Sequence, residues 1–96
     1  MEILVAYDVA TDNAEGKRRL RRVAEVCLAF GQRVQKSVFE CILSEADLEI
    51  LKHRLSREIE GGKDSIRIYR LMEPREKYLS LIGKQPKFDL HDPLLV

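Results

Sequence analysis

Asp8 closes an apolar run rich in β-branched residues, Ile3 to Val9. Such a run predicts a buried strand, and a strand of that kind holds the carboxylate at its end fixed and exposed at the rim of a sheet. A magnesium ion takes oxygen ligands and keeps several waters when protein supplies only one or two carboxylates. One aspartate is a poor site, whereas two brought together by a twofold axis could share one ion. Without the ion the paired carboxylates would repel and one pKa would rise. With it, water could be activated and the charge on a cleaved phosphodiester steadied. The alternative role for Asp8 is to cap the turn that follows, as aspartate often does.

The second chemical feature is cationic. Lys17, Arg18, Arg19, Arg21 and Arg22 place five cations in six positions, with Glu15 and Glu25 the near acids. This cluster predicts a strip that contacts phosphates, giving salt-sensitive, sequence-blind binding of DNA or RNA. The alternative is a solvated helix face. Arg33, Lys36, Arg67 and Arg70 could extend the strip from strands, although alternation sends some of them to opposite faces. Tyr7 and Phe39 are candidates for stacking on bases, with packing at an interface as the other reading. Ser37 has no evident base partner, so a nucleophilic triad is not supported. His53 is expected on a helix surface, and His91, between Asp89 and Asp92, in a loose tail.

These residues need elements to hold them. After the first strand, Thr11, Asp12 and Asn13 supply turn and N-cap candidates. From about Ala14 to Phe30 the apolar spacing turns helical, with Leu20, Val23, Ala24, Cys27 and Phe30 on one face, and Gly31 stops the helix. Arg33 to Leu43 is extended again. It is long for one strand, so a bend, bulge or tight hairpin near Lys36-Ser37 is expected to divide it. Ser44 with Asp47 resembles an N-terminal cap, and Leu48, Leu51, Leu55 and Ile59 form the stripe of a second helix that ends at Gly61-Gly62. Asp64 to Leu71 is the next strand, Ile66 and Ile68 alternating with Arg67 and Tyr69. Tyr78 to Ile82 is one more short strand candidate. The expected fold is therefore α+β: a ferredoxin-like βαββαβ two-layer sandwich over residues 1–82 with an extra C-terminal strand, followed by an arm over 83–96. Two helices cover one face of a four-stranded sheet. The other face, expected to carry Tyr7 or its neighbours, would be bare unless it binds something, and a second copy is the natural candidate.

The bulk numbers agree with this plan. Ninety-six residues, 45% apolar and 34% charged, suit one compact domain and exclude global disorder. A formal net charge of +1 excludes a uniformly basic nucleic-acid binder, so any polyanion site must come from local clustering. Met1 to Val5 lacks a basic region and predicts no secretory signal. No apolar stretch reaches the ~20 residues needed to span a bilayer. Cys27 and Cys41 show no C-x-x-C spacing, so free thiols in a reducing cytoplasm are expected rather than a structural zinc site.

Three stretches occur in a telling order: Tyr7-Asp8-Val9, then Arg33-Val34-Gln35-Lys36-Ser37-Val38-Phe39-Glu40, then Asp64-Ser65-Ile66-Arg67-Ile68-Tyr69-Arg70-Leu71. With the basic first helix, they resemble the Cas-two family, the small ferredoxin-like subunit of the CRISPR spacer-acquisition machinery, over Met1 to about Ile82. The resemblance implies a homodimer in which the last short strand, here Tyr78 to Ile82, crosses to the partner's sheet. It implies a subunit that bridges dimers of the CRISPR integrase during spacer capture. In several members it implies a metal-dependent endoribonuclease or deoxyribonuclease. Asp8 matches the family's metal-binding aspartate, contributed by both subunits to one magnesium ion. Tyr7, Arg33 and Phe39 match positions linked to activity, and Arg18, Arg19 and Arg22 are candidates for an active first-helix arginine. The other functions weighed are a non-enzymatic DNA-binding scaffold and a related toxin-like ribonuclease of the same fold. An RNA-recognition module would need an aromatic signature that Phe39 lacks.

Overall fold

The structure, a computed structural model, describes residues 1–85. Its element order is β1 (Glu2–Asp8), α1 (Ala14–Phe30), β2 (Gly31–Gln35), β3 (Val38–Ile42), α2 (Glu45–Glu58), β4 (Ser65–Arg70) and a short α3 (Arg75–Tyr78). The four strands form one antiparallel sheet in the order β2-β3-β1-β4, the ferredoxin-like arrangement expected.

Strict alternation along β1 decides which side chains meet. Ile3, Val5 and Tyr7 are buried, while Leu4 and Ala6 are partly covered and Asp8 is exposed. The buried set joins Phe39 and Cys41 of β3 and the apolar stripes of the helices: Val23, Ala24, Val26 and Cys27 from α1, Leu51 and Leu55 from α2. Both helices therefore lie on one face, and the other is open. Helix α1 starts at Asn13, whose side chain accepts the Gly16 N–H at 2.8 Å. Helix α2 starts at Ser44, whose hydroxyl accepts the Asp47 N–H at 3.1 Å. The long extended segment is divided where anticipated. Residues 36 and 37 form the turn, and a register shift between Arg33 and Gln35 marks a bulge.

Gly31 ends α1 for a different reason from the one expected. Its backbone is extended and runs straight into β2, and a Cβ there would lie 2.3 Å from the Glu40 carbonyl oxygen. Close approach to the neighbouring strand, not a left-handed cap, demands glycine at this position.

One expectation is narrowed and one requires correction. Of Tyr7 and its neighbours, it is Ala6 and Asp8 that lie on the open face; Tyr7 is buried on the helix-covered face, because it shares the parity of Ile3 and Val5. Residues 78–82 do not form a strand within the chain. Tyr78 closes α3, and the following residues up to 82 have no ladder partner. A strand needs an edge to pair with, and this segment instead turns over the open face, where Arg75 bonds Glu40 and approaches Glu2 at 4.0 Å. The expected arm falls, from residue 86 onward, outside the described residues, as does His91. His53 is exposed on α2, as expected. Among the described residues no helix is long and apolar enough to cross a membrane.

Candidate functional site

Asp8 ends the central strand with its side chain exposed on the open face. Its neighbours there follow from the register. Asp8 pairs with Ser65, Ala6 with both Arg67 and Val38, and Leu4 with Tyr69. Arg67 is thus diagonal to Asp8 on the same face, within reach of a long side chain. Arg67 donates to the Tyr69 hydroxyl at 3.0 Å, which turns the guanidinium toward the Leu4 end of the face and away from Asp8. The carboxylate of Asp8 accepts no hydrogen bond and joins no ion pair among the described residues. The capping role is filled by others: Asn13 caps α1, and the Ala10 N–H donates to Asp64 at 3.0 Å. The end of the central strand, paired through Ser65 of β4, therefore presents a carboxylate with no hydrogen bond or ion pair among the described residues.

Tyr7, Arg33 and Phe39 come together with one another on the helix-covered face, and Asp8 points away from them. The Tyr7 and Phe39 rings stack with centroids 6.1 Å apart. The Arg33 guanidinium carbon lies 5.0 Å from the Phe39 centroid. Phe39 is fully buried and Arg33 only 3% exposed. The Tyr7 hydroxyl donates to the Lys36 carbonyl at 3.4 Å, and burial above all pushes its pKa up to about 12, against a smaller lowering influence of Arg33. That phenol holds its proton at neutral pH. The trio forms the packed floor beneath the β2–β3 hairpin and the first strand.

The cationic strip divides. Arg19 leaves it, which corrects the expectation that it contacts phosphate: it is 7% exposed, and its Nε lies 2.8 Å from Asp64 Oδ2. It shares the inward face of α1 with Val23 and Ala24, where a phosphate cannot reach it. Arg18 pairs with Glu15 at 2.7 Å. Arg22 pairs with Glu15 at 3.4 Å and with Glu58 of α2 at 3.0 Å. Lys17 and Arg21, one helical turn apart and both exposed, have no ion-pair partner among the described residues. They stand in the helix layer and Asp8 in the open sheet face, at the same end of the sheet, because α1 starts shortly after β1 ends.

The donor set sets the terms for a metal. Among the described residues no group of three or more His, Cys, Asp or Glu side chains is gathered together. At the end of β1 the described residues offer one carboxylate, Asp8, which fits a magnesium-type ion only as half of a site completed by a second carboxylate and water. Both cysteines are free and buried. Burial raises the thiol pKa of Cys27 to about 12 and of Cys41 to about 11, so neither is a nucleophile.

The family model described as CRISPR associated protein Cas2 matches residues 1–77. The chain belongs to the Cas2 family. It is 54% identical to the CRISPR-associated endoribonuclease Cas2 1 of Moorella thermoacetica, over the full length of both chains. It is 47% identical to the CRISPR-associated endonuclease Cas2 of Halalkalibacterium halodurans, covering 99% of each. Among solved structures, Streptococcus pyogenes Cas2 superposes with a TM-score of 0.78 at 44% identity, covering 86% of this chain and 100% of that one.

Within this Cas2 fold, the polar side chains of β4 that share the face of Asp8 include Arg67 and Tyr69; Arg67 was expected only as an extension of the cationic strip, and Tyr69 was assigned no role. Their alternation with Ile66 and Ile68 was visible in the sequence. The missing piece was the antiparallel register that sets Ser65 against Asp8, and no local pattern encodes a register between strands 57 residues apart. Asp64 was equally overlooked, since a single aspartate before a strand carries no sign that its side chain is fully buried.

Proposed function

We propose that this protein is a nuclease subunit of CRISPR spacer acquisition, cleaving phosphodiester bonds in RNA or double-stranded DNA with Asp8 as its metal-holding residue. The observation that carries the reading is the unpaired, exposed carboxylate of Asp8 at the end of the central strand, on the sheet face that the helices leave open. Two copies associating through that face would bring the two Asp8 carboxylates around one magnesium ion. The bound ion would supply Lewis-acid stabilisation of the phosphodiester and activation of water. The chain's own residues orient the substrate. Arg67 lies on the same face to meet a phosphate oxygen, and Lys17 and Arg21 hold the backbone further out. The names of the relatives, endoribonuclease and endonuclease, support the reaction class.

A scaffold role accompanies this reading. The segment after β4 crosses the open face, and the cleft of about 570 Å³ between them is lined by Leu4, Val34, Val38, Leu79, Leu81 and Ile82. Ile82 is 92% and Leu81 63% exposed. Apolar side chains left in the open beside a cleft of mixed lining, with Gln32, Glu40 and Arg75 among its polar members, suit a second copy that covers both, and the dimer would then bridge the CRISPR integrase in the cytoplasm.

The test is magnesium-dependent cleavage of single-stranded RNA and double-stranded DNA by wild type and Asp8→Ala, with dimer formation checked by sizing in both and binding to the integrase followed by pull-down. Loss of cleavage in a dimeric Asp8→Ala upholds the enzyme reading. Equal cleavage by both removes it, and retained integrase binding in the same variant then leaves the scaffold role.

A further inference from the structure

We infer that Asp64, clamped by Arg19, is the positioning residue that fixes where the Asp8 carboxylate stands; the inference rests on the reading of Asp8 as metal ligand. The Asp64 side chain is fully buried and that of Arg19 9% exposed. One carboxylate gathers three separate segments. Oδ2 accepts from Arg19 Nε on α1 at 2.8 Å and from the Glu60 N–H at 2.8 Å. Oδ1 accepts from the Ala10 N–H at 3.0 Å and from Arg19 Nη2 at 3.4 Å.

The segments tied together are the ones that set Asp8. Ala10 lies two residues beyond it, so its bond fixes the direction in which the chain leaves β1. Asp64 itself precedes Ser65, the register partner of Asp8 on β4, so the same carboxylate fixes the adjacent strand at its first residue. The loop is held from its other side as well. A Cβ at Gly16 would lie 2.0 Å from the Ala10 carbonyl oxygen, which shows how closely α1 is seated on it. The Asp64 side chain links the exit of β1, the entry of β4 and the first turns of α1. A shared site needs its half-ligands placed to a fraction of an ångström, and partners behind a ligand commonly change metal affinity by roughly 10–100-fold when removed. Burying a charged pair for stability alone has little advantage over an apolar pair of the same volume, which leaves placement as what this pair supplies.

The experiment measures Mn²⁺ binding, as the loss of the free-ion electron paramagnetic resonance signal, together with exchange rates of the Asp8 and Ala10 backbone amides. The proteins are wild type, Asp64→Asn, Arg19→Lys, Asp8→Ala and Leu51→Ala, the last a destabilising core change outside the Asp64 network. Asp64→Asn and Arg19→Lys are expected to weaken Mn²⁺ binding about tenfold and to speed exchange at Ala10, while Leu51→Ala keeps wild-type affinity despite a lower melting temperature. Should Asp64→Asn not fold, Arg19→Lys, which keeps the charge and loses the two-pronged contact, carries the test. Wild-type affinity in the folded Asp64 and Arg19 variants, or an equal loss in Leu51→Ala, overturns the inference. Failure of the underlying reading shows separately, as wild-type Mn²⁺ affinity in Asp8→Ala. Amide exchange then decides: unchanged rates in Asp64→Asn overturn the positional claim, and faster exchange upholds it.

Discussion

Replacing Arg19 with alanine separates a structural arginine from a nucleic-acid-binding one. Its guanidinium meets Asp64 at 2.8 Å with side-chain exposures of 9% and 0%. Removing one partner of a buried pair strands the other charge, at a cost of about 3–5 kcal/mol. Asp64 keeps the N–H donors of Ala10 and Glu60, which places the expected loss near the lower end, about 3 kcal/mol. For a domain whose total stability is about 5–15 kcal/mol, that lowers the melting temperature by roughly 12–24 °C. Arg21→Ala, on the exposed side of the same helix, is expected to stay within about 0.5 kcal/mol of wild type. Urea and thermal unfolding followed by circular dichroism measure both. The pH dependence adds a second signature. The Arg19 bond above all, opposed by burial and aided by the Glu60 and Ala10 N–H groups, holds the Asp64 carboxyl at about 2 against its ordinary 3.8. A depressed carboxyl stabilises the fold above its unfolded pKa, so this contribution is complete above 3.8 and is lost as pH falls toward 2. In Arg19→Ala the Asp64 pKa moves back up and the difference across that window shrinks. An Arg19→Ala protein as stable as wild type, with a lowered salt dependence of DNA binding, would refute the reasoning and return Arg19 to the phosphate strip.

Other outcomes follow from the same geometry. Lys17→Ala combined with Arg21→Ala should leave the fold intact and reduce the slope of log affinity against log salt by about one for each cation that contacts a phosphate, measured by DNA-binding titrations at several salt concentrations. Phe39→Ala should lose about 3–5 kcal/mol, because the ring is fully buried between Tyr7 and Arg33; any loss of cleavage in that variant should track its unfolding curve. Gly16→Ala should destabilise the protein by more than the helix propensity of alanine returns, since the added methyl meets the Ala10 carbonyl, and a melting temperature equal to or above wild type would contradict it. Cys27 and Cys41, buried and with raised thiol pKa values, should resist a thiol reagent at pH 8 until denaturant is added, as a colorimetric thiol titration will report.

Local pattern was enough for most of the architecture. The three- and four-residue spacing of Val23, Ala24 and Cys27 marks α1, and the short apolar run from Ile3 to Val9 marks β1, because both patterns are properties of neighbouring residues. Local pattern did not single out Asp8, since a carboxylate after a strand reads equally as a turn cap; the family resemblance did. The part played by each cation was not legible. Arg18, Arg19, Arg21 and Arg22 are alike as residue types, and only the docking of α1 on the sheet turns Arg19 inward to Asp64, 45 positions away. The face of Tyr7 and the neighbours of Asp8 likewise depended on the pairing of β1 with β3 and β4. Periodicity is a property of neighbouring residues, whereas ion pairs and strand register join residues that the chain keeps far apart, so they exist only once the elements have packed.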